Sequence, residues 1–169
     1  MARLARIIIP GCAHHVIHHA RLGVPLFRDA RDLTRYRRLL AEKAEMHGVA
    51  VKARLLLADH VELLLVPQTR DGLARAVGEA HRLYARHRDL GANALWAGRF
   101  QSCPVAPEMA AAIAGAMKGR APLDEETRHR LLIATSRGRP FGDPAFIAQI
   151  EGETGRQFTP RRRGRKPKW

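Results

Sequence analysis

The sequence predicts an α+β fold: a ferredoxin-like βαββαβ antiparallel sheet with two helices on one face, followed by C-terminal helices and a basic tail. Three observations predict it. The segments up to residue 105 run in the order strand, helix, strand, strand, helix, strand. Two of the strands meet at a tight turn, and both helices carry an apolar stripe at helical spacing. In this arrangement we expect the face of the sheet without helices to be available for a ligand.

Four strands account for the predicted sheet. Residues 13–19 are β-branched at their centre, and 49–57 pairs with 60–66 across a short turn. Pro67 ends the third strand because proline cannot donate to a sheet ladder. One further short strand lies within residues 96–105.

Two amphipathic helices are predicted between the strands, at 29–47 and 71–89. The stripe of the first consists of Leu33, Tyr36, Leu39, Leu40, Ala44 and His47. The stripe of the second consists of Leu73, Val77, Ala80 and Tyr84. By periodicity alone, Tyr84 is therefore a core residue.

After Pro107 the composition changes, which divides the chain into residues 1–106, a helical extension over 107–159 and a basic tail over 160–169. The extension is predicted to form helices at 108–118, 124–136 and 143–153. Asp124 is a plausible N-cap because its carboxylate can accept from the first free backbone amides of a helix.

Charge identifies the class of partner. The formal net charge is +14 in 169 residues, which favours nucleic acid as the binding partner and, as a second choice, an anionic membrane. Six of the cations lie in residues 160–169, and without them the net charge is still +8, so the rest of the chain is basic too. No apolar run is long enough to span a membrane, and the first ten residues are too short for a signal peptide. The two cysteines lack the CxxC spacing of a metal or redox site, and they are typical of a protein in a reduced compartment. We expect a cytoplasmic, nucleoid-associated protein.

The triplet His60-Val61-Glu62 opens the third strand. Since side chains alternate between the faces of a strand, His60 and Glu62 point the same way while Val61 points into the core. An imidazole and a carboxylate together can hold a divalent cation, Mg²⁺ or Mn²⁺. The alternative is a hydrogen-bonded pair on a half-exposed strand.

Arg75, Arg82 and Arg86 lie together on the second helix, seven and four residues apart. They are either a solvated helix face or, given the charge of the whole chain, contacts for DNA phosphates. The first strand also carries histidines at positions 14, 15, 18 and 19. Alternation puts two on each face, and we expect one pair near the functional site and the rest exposed.

Five segments in order resemble one family. They are residues 3–16, Asp59 to Pro67, Ala80 to His87, Leu95-Trp96-Ala97-Gly98-Arg99-Phe100, and the pair Gly138 to Gly142 and Arg163 to Pro167. This order resembles the REP-associated tyrosine transposases, a branch of the single-tyrosine HUH transposases. The family has a second histidine where this sequence has Glu62, and its Asn-Pro helix motif does not follow Phe100, so the resemblance is to a shortened member.

The resemblance implies cleavage and joining of single-stranded or hairpin DNA through a covalent phosphotyrosine intermediate. Tyr84 would be the nucleophile, and a divalent metal, Mg²⁺ or Mn²⁺, would be held by His60 and Glu62. Related enzymes often place a further polar ligand one helical turn after the tyrosine. That position here is Arg88, a cation that cannot coordinate a metal, so His87 or alternatively Asp89 would be the further ligand. The predicted DNA contacts are Arg75, Arg82, Arg86, Arg99, Arg161, Arg162, Arg163, Arg165 and Lys166.

Several points stay open at the level of sequence. The tail over 163–167 resembles an AT-hook-like segment that enters the minor groove, but a nonspecific basic tail fits equally. The protein could be a relative that binds DNA without cleaving it. It could also be a ferredoxin-like RNA-binding module, which would stack bases on aromatic side chains near Trp96 and Phe100. Either a monomer or a homodimer is compatible with the sequence.

Overall fold

The computed structural model describes residues 6–158, and the order of its first elements is the predicted βαββαβ. The elements are β1 (Ala13–His19), α1 (Ala30–Met46), β2 (Val49–Leu56), β3 (His60–Pro67), α2 (Gly72–His87), α3 (Ala92–Leu95), β4 (Gln101–Val105), α4 (Pro107–Met117), α5 (Glu125–Arg137) and α6 (Pro144–Thr154). The predicted elements are all present with ends shifted by a few residues, and the one-turn helix α3 is additional. The predicted fold class is confirmed.

The four strands form one antiparallel sheet in the order β2-β3-β1-β4. β3 lies inside the sheet, between β2 and β1, so its side chains can reach only the two faces. Leu57 N–H donates to His60 O at 2.9 Å and closes the tight turn between β2 and β3. In the register between β1 and β3, Ile17 lies opposite Glu62 and His19 lies opposite His60.

One face of the sheet packs against α1 and α2, and the main core lies between them. Val61, Leu63 and Leu65 of β3 point into this core, where they meet the apolar stripes of the two helices. The stripe residues Tyr36, Val77 and Tyr84 are fully buried. The spacing of the stripes therefore predicted the buried helix faces correctly.

The other face of the sheet is covered by the C-terminal helices. Leu64 of β3 and Cys103 and Val105 of β4 pack there against Ile113 of α4 and Leu131 of α5. The expectation that this face is available to a ligand is wrong for most of its area. The physical reason is that its outward side chains are themselves apolar, and burying them against α4 and α5 removes them from water.

Side-chain caps fix where these helices begin. Asp29 accepts from the amides of Arg31 and Asp32 at the start of α1, and Asp124 accepts from the Thr127 amide at 2.8 Å at the start of α5. The predicted capping role of Asp124 is confirmed. Caps of this kind contribute about 1 kcal/mol each. The tail over 160–169 lies outside the described residues, and within residues 6–158 no helix is both long and apolar enough to cross a membrane.

Candidate functional site

Alternation along β3 places His60 and Glu62 together on the sheet face opposite α1 and α2. His60 Nε2 lies 3.2 Å from Glu62 Oε1, and His60 Nδ1 lies 2.8 Å from Asp59 Oδ1. Val61, between them, is fully buried in the main core. The sequence therefore predicted the orientation of all three side chains of the triplet correctly.

Glu62 is a buried carboxylate with several nitrogen partners. Its side chain is only 1% exposed and points toward α5, which carries Arg128. Arg128 Nη2 donates to Glu62 Oε1 at 2.7 Å, and His15 Nε2 lies 3.3 Å from Glu62 Oε2. Burial by itself would raise the pKa of Glu62, but the hydrogen bonds from His15 and Arg128 outweigh it, so the pKa falls to about 2. Glu62 is therefore ionised at neutral pH.

Two of these partners were not identified from the sequence. His15 is held in turn by α5, since its Nδ1 lies 2.7 Å from the Thr135 hydroxyl oxygen. Alternation could have placed His15 on the same face as Glu62 only if the register of β1 and β3 were known. Arg128 is 66 residues from Glu62 in the chain, and no local pattern connects them.

The three predicted metal ligands are not brought together. His87 lies at the end of α2, on the other side of the sheet from Glu62, and its Nε2 is 3.1 Å from Asp32 Oδ1 of α1. Within residues 6–158 no group of three or more His, Cys, Asp or Glu side chains is arranged to hold a metal ion. The assignment of His87 to the site of His60 and Glu62 is therefore wrong in geometry.

The implied divalent metal does not fit the remaining pair. A metal between His60 Nε2 and Glu62 Oε1 would share that oxygen with the Arg128 guanidinium, which already lies 2.7 Å from it. Two cations on one carboxylate oxygen repel each other strongly in a buried site. His60 and Glu62 therefore form the predicted alternative, a hydrogen-bonded pair, but the strand is more buried than the half-exposed one predicted.

Tyr84 lies in the main core, on the opposite side of the sheet from Glu62. Its side chain is fully buried, and its hydroxyl donates to the Leu26 carbonyl at 2.6 Å. Arg88 donates to the same carbonyl and to Pro25 O. Burial raises the pKa of Tyr84 to about 12. The structure therefore does not bring the predicted nucleophile to the predicted metal ligands.

The second tyrosine is also buried. The Tyr36 hydroxyl lies 2.8 Å from His81 Nε2, and His81 Nδ1 lies 2.7 Å from His18 Nδ1. His18 Nε2 in turn lies 3.1 Å from Gly98 O. A carbonyl can only accept, so these contacts order the protons: His18 donates to Gly98, His81 donates to His18, and Tyr36 donates to His81. We call this chain of hydrogen bonds the histidine relay. It requires both histidines to be neutral, and burial favours the neutral form because it lowers the pKa of each.

Three of the four histidines of β1 are buried, so the expectation that half of them are exposed is wrong. His14 accepts from the Ile9 amide through Nε2, while His15 and His18 take part in the contacts described above. His19 is exposed and lies beside His60, with 5.1 Å between ring centroids.

The predicted DNA-contacting arginines of the described region lie on the surface. Arg75, Arg82 and Arg86 are exposed on α2, and Arg99 is exposed between α3 and β4. Arg75 is paired with Asp71, with 2.9 Å between Nε and Oδ2. Arg161, Arg162, Arg163, Arg165 and Lys166 lie outside the described residues, so their role stays a prediction.

The strands do not supply the large aromatic side chains on which an RNA-binding module stacks bases. In the described part of the chain, none of the four strands contains Phe, Tyr or Trp. Trp96 and Phe100, predicted as the stacking residues of an RNA-binding module, are 3% and 8% exposed and belong to the main core.

Solved structures with a similar fold include a transposase bound to a REP hairpin. A REP-associated tyrosine transposase bound to a REP hairpin is 12% identical, and the match covers 76% of this chain and 79% of that chain with a TM-score of 0.58. A putative transposase from Deinococcus radiodurans is 18% identical over 72% of this chain and 100% of that chain, with a TM-score of 0.47. No protein-family model and no curated protein matches the sequence. At this identity, the first likeness shows a shared fold.

Proposed function

We propose that this protein is a transposase-type DNA-binding protein that recognises single-stranded or hairpin DNA. The observation that carries the proposal is a net charge of +14 on a fold shared with a transposase bound to a REP hairpin. Arginines on α2 supply exposed cations, and the basic tail supplies six more. Neutralising phosphates with such side chains releases counterions, which gives DNA affinity with a strong salt dependence.

Binding of a labelled DNA hairpin tests this proposal. Fluorescence anisotropy of the full chain should give saturable binding, with an affinity that falls linearly on a log–log plot as salt rises. A matched duplex and a structured RNA of the same length are the controls. No binding of the DNA hairpin at low salt, or tighter binding of the RNA, would overturn the proposal.

Cleavage through a phosphotyrosine, which the family resemblance implies, asks more of this fold than DNA binding does. It requires the Tyr84 hydroxyl to leave the Leu26 carbonyl and reach a backbone phosphate, and it requires His60 and Glu62 to exchange Arg128 for a metal. Both groups would also have to meet at one phosphate, and Tyr84 and Glu62 lie on opposite faces of the sheet.

A second candidate, binding of DNA without cleavage, is favoured by one specific observation. The sequence contains two tyrosines, and both Tyr36 and Tyr84 are fully buried. This candidate predicts hairpin binding without a covalent protein–DNA adduct. It also predicts that Glu62→His does not produce adducts, since the substitution leaves Tyr84 in the core. Adduct formation by Glu62→His would count against it.

A further inference from the structure

The partners of Glu62 reveal how this site is neutralised. A divalent ion beside a carboxylate compensates its charge and leaves open positions for a phosphate oxygen. Here the Arg128 guanidinium lies on Glu62 Oε1 at 2.7 Å, and it does so from α5, an element that packs over this face of the sheet. We propose that Arg128 takes the place of a divalent cation beside Glu62 and binds one DNA phosphate there, so that the site works without metal.

The first step is the charge of the carboxylate. Glu62 is nearly completely buried, and an isolated buried carboxylate is strongly unfavourable. Arg128 supplies the full compensating charge, and His15 and His60 add nitrogen contacts at 3.3 and 3.2 Å. The carboxylate has no need of a further cation.

The second step is the geometry of the guanidinium. Arginine has five N–H donors in a planar fork, and only Nη2 contacts Glu62. The side chain of Arg128 is 41% exposed and lines the cavity beside it, so part of it is open to a ligand. A guanidinium can therefore bridge a carboxylate on one edge and a phosphate on the other, as a metal ion would. Glu62 fixes the orientation of the donors before DNA arrives.

The third step is the space beside Arg128. A cavity of about 240 Å³ lies between β2, α4 and α5, next to the ion pair. Its walls are mostly apolar and include Ile113, Met117 and Leu131. The sugar and base attached to a phosphate on Arg128 can pack there, whereas a free inorganic anion would gain nothing from these walls. The ligand class is thus a nucleotide unit of the bound DNA strand.

Binding of Mn²⁺ tests the cation replacement, whether or not the protein binds DNA. Electron paramagnetic resonance of Mn²⁺ should show no loss of the free-ion signal when the full-length wild-type protein is added. Arg128→Ala should reduce that signal, because it leaves His60 and Glu62 to hold the ion. Binding of Mn²⁺ by the wild type that disappears in Glu62→Gln would overturn the proposal.

Affinity for the DNA hairpin in the presence of EDTA tests the phosphate role, which rests on the proposed function. Arg128→Ala should weaken binding about tenfold and lower the log–log salt slope by about one. The matched control is Arg130→Ala, which removes the same charge from an exposed position of the same helix. Equal losses of affinity in both variants, or no loss in Arg128→Ala, would overturn the phosphate role.

Folding and function are separated by two further measurements. If Arg128→Ala does not fold by circular dichroism, the double variant Glu62→Gln/Arg128→Gln replaces it, since it removes both charges of the buried pair. This variant should show the same tenfold loss of DNA affinity, and unchanged affinity would contradict the phosphate role. Absence of hairpin binding by the wild type would overturn both the proposed function and the phosphate role, but the Mn²⁺ result would still decide the cation replacement.

Discussion

The side chains of Tyr84 and Glu62 lie on opposite faces of the β-sheet. Tyr84 belongs to the same core cluster as Val61 and Leu63, whereas Glu62 contacts Arg128 of α5. A four-stranded sheet with β3 in its interior separates them. A nucleophile and a metal ligand must approach the same phosphate, so these two residues cannot share one active site in this arrangement.

Replacing Tyr84 by Phe should affect stability rather than DNA binding. The substitution removes one buried hydrogen bond, but the Leu26 carbonyl keeps Arg88 as a donor. We expect a loss of about 1 kcal/mol in the free energy of unfolding, measured by urea denaturation. Affinity for the DNA hairpin should stay the same. A large loss of affinity with unchanged stability would contradict the buried, structural role of Tyr84.

Acid should destabilise the fold through the buried histidine relay. Burial lowers the pKa of His18 to about 4 and that of His81 well below its ordinary value of 6.5. Between pH 6.5 and 4 the unfolded chain binds protons that the folded chain does not. The contribution of these histidines to the free energy of unfolding is therefore fully present above pH 6.5 and is lost as the pH drops. The slope should reach about 1.4 kcal/mol per pH unit for each proton.

Urea midpoints at pH 7.5, 6.5, 5.5 and 5 measure this slope. His14, whose pKa is lowered to about 4 by burial, contributes in the same range. Glu62 loses its stabilising charge only at lower pH, because its unfolded pKa is already near 4.5. The variant His81→Gln should show a smaller slope between pH 5 and 6.5. An identical slope in this variant would mean that the relay does not carry the effect.

The C-terminal helices should unfold together with the sheet. Leu131 of α5 is buried against the sheet face that carries Leu64 and Val105. Leu131→Ala should therefore cost about 2–5 kcal/mol, as large-to-small substitutions in a core do. Ile133→Ala, at a position that is 37% exposed on the same helix, should change stability by no more than about 0.5 kcal/mol. Two separate unfolding transitions would show that α5 is an independent unit.

Arginines on α2 should differ in their contribution to DNA binding. Arg82→Ala and Arg86→Ala should each lower hairpin affinity and reduce the log–log salt slope by about one for each phosphate that is no longer neutralised. Arg75→Ala should have a smaller effect, because Asp71 already pairs with that guanidinium at 2.9 Å. Anisotropy titrations at several salt concentrations measure all three. Equal effects would mean that α2 acts only through its total charge.

The local patterns of the sequence predicted most of the fold. Period-two alternation on β3 placed Val61 inside, and helical periodicity placed Leu73, Val77, Ala80 and Tyr84 on the buried face of α2. These predictions succeed because burial of an apolar face decides the orientation of an element once its period is known. The same stripe already made Tyr84 a core residue, in conflict with the role implied by the family resemblance.

The composition of the site could not be predicted in the same way. Glu62 meets Arg128 only because α5 packs back over the sheet, and Tyr36 meets His81 across 45 residues of chain. Pairings of this kind depend on how elements dock, which no local spacing encodes. The closure of the second sheet face by α4 and α5 was missed for the same reason.

A covalent-adduct assay tests the central claim most directly. Full-length protein would be mixed with labelled hairpin DNA from the flanks of its own gene, with Mg²⁺, Mn²⁺ or EDTA, and analysed on native and denaturing gels, with Tyr84→Phe and Tyr36→Phe as controls. The account predicts a salt-sensitive complex on the native gel in EDTA and no adduct that survives denaturation. A metal-dependent adduct that is formed by the wild type and Tyr36→Phe but is absent in Tyr84→Phe would contradict it.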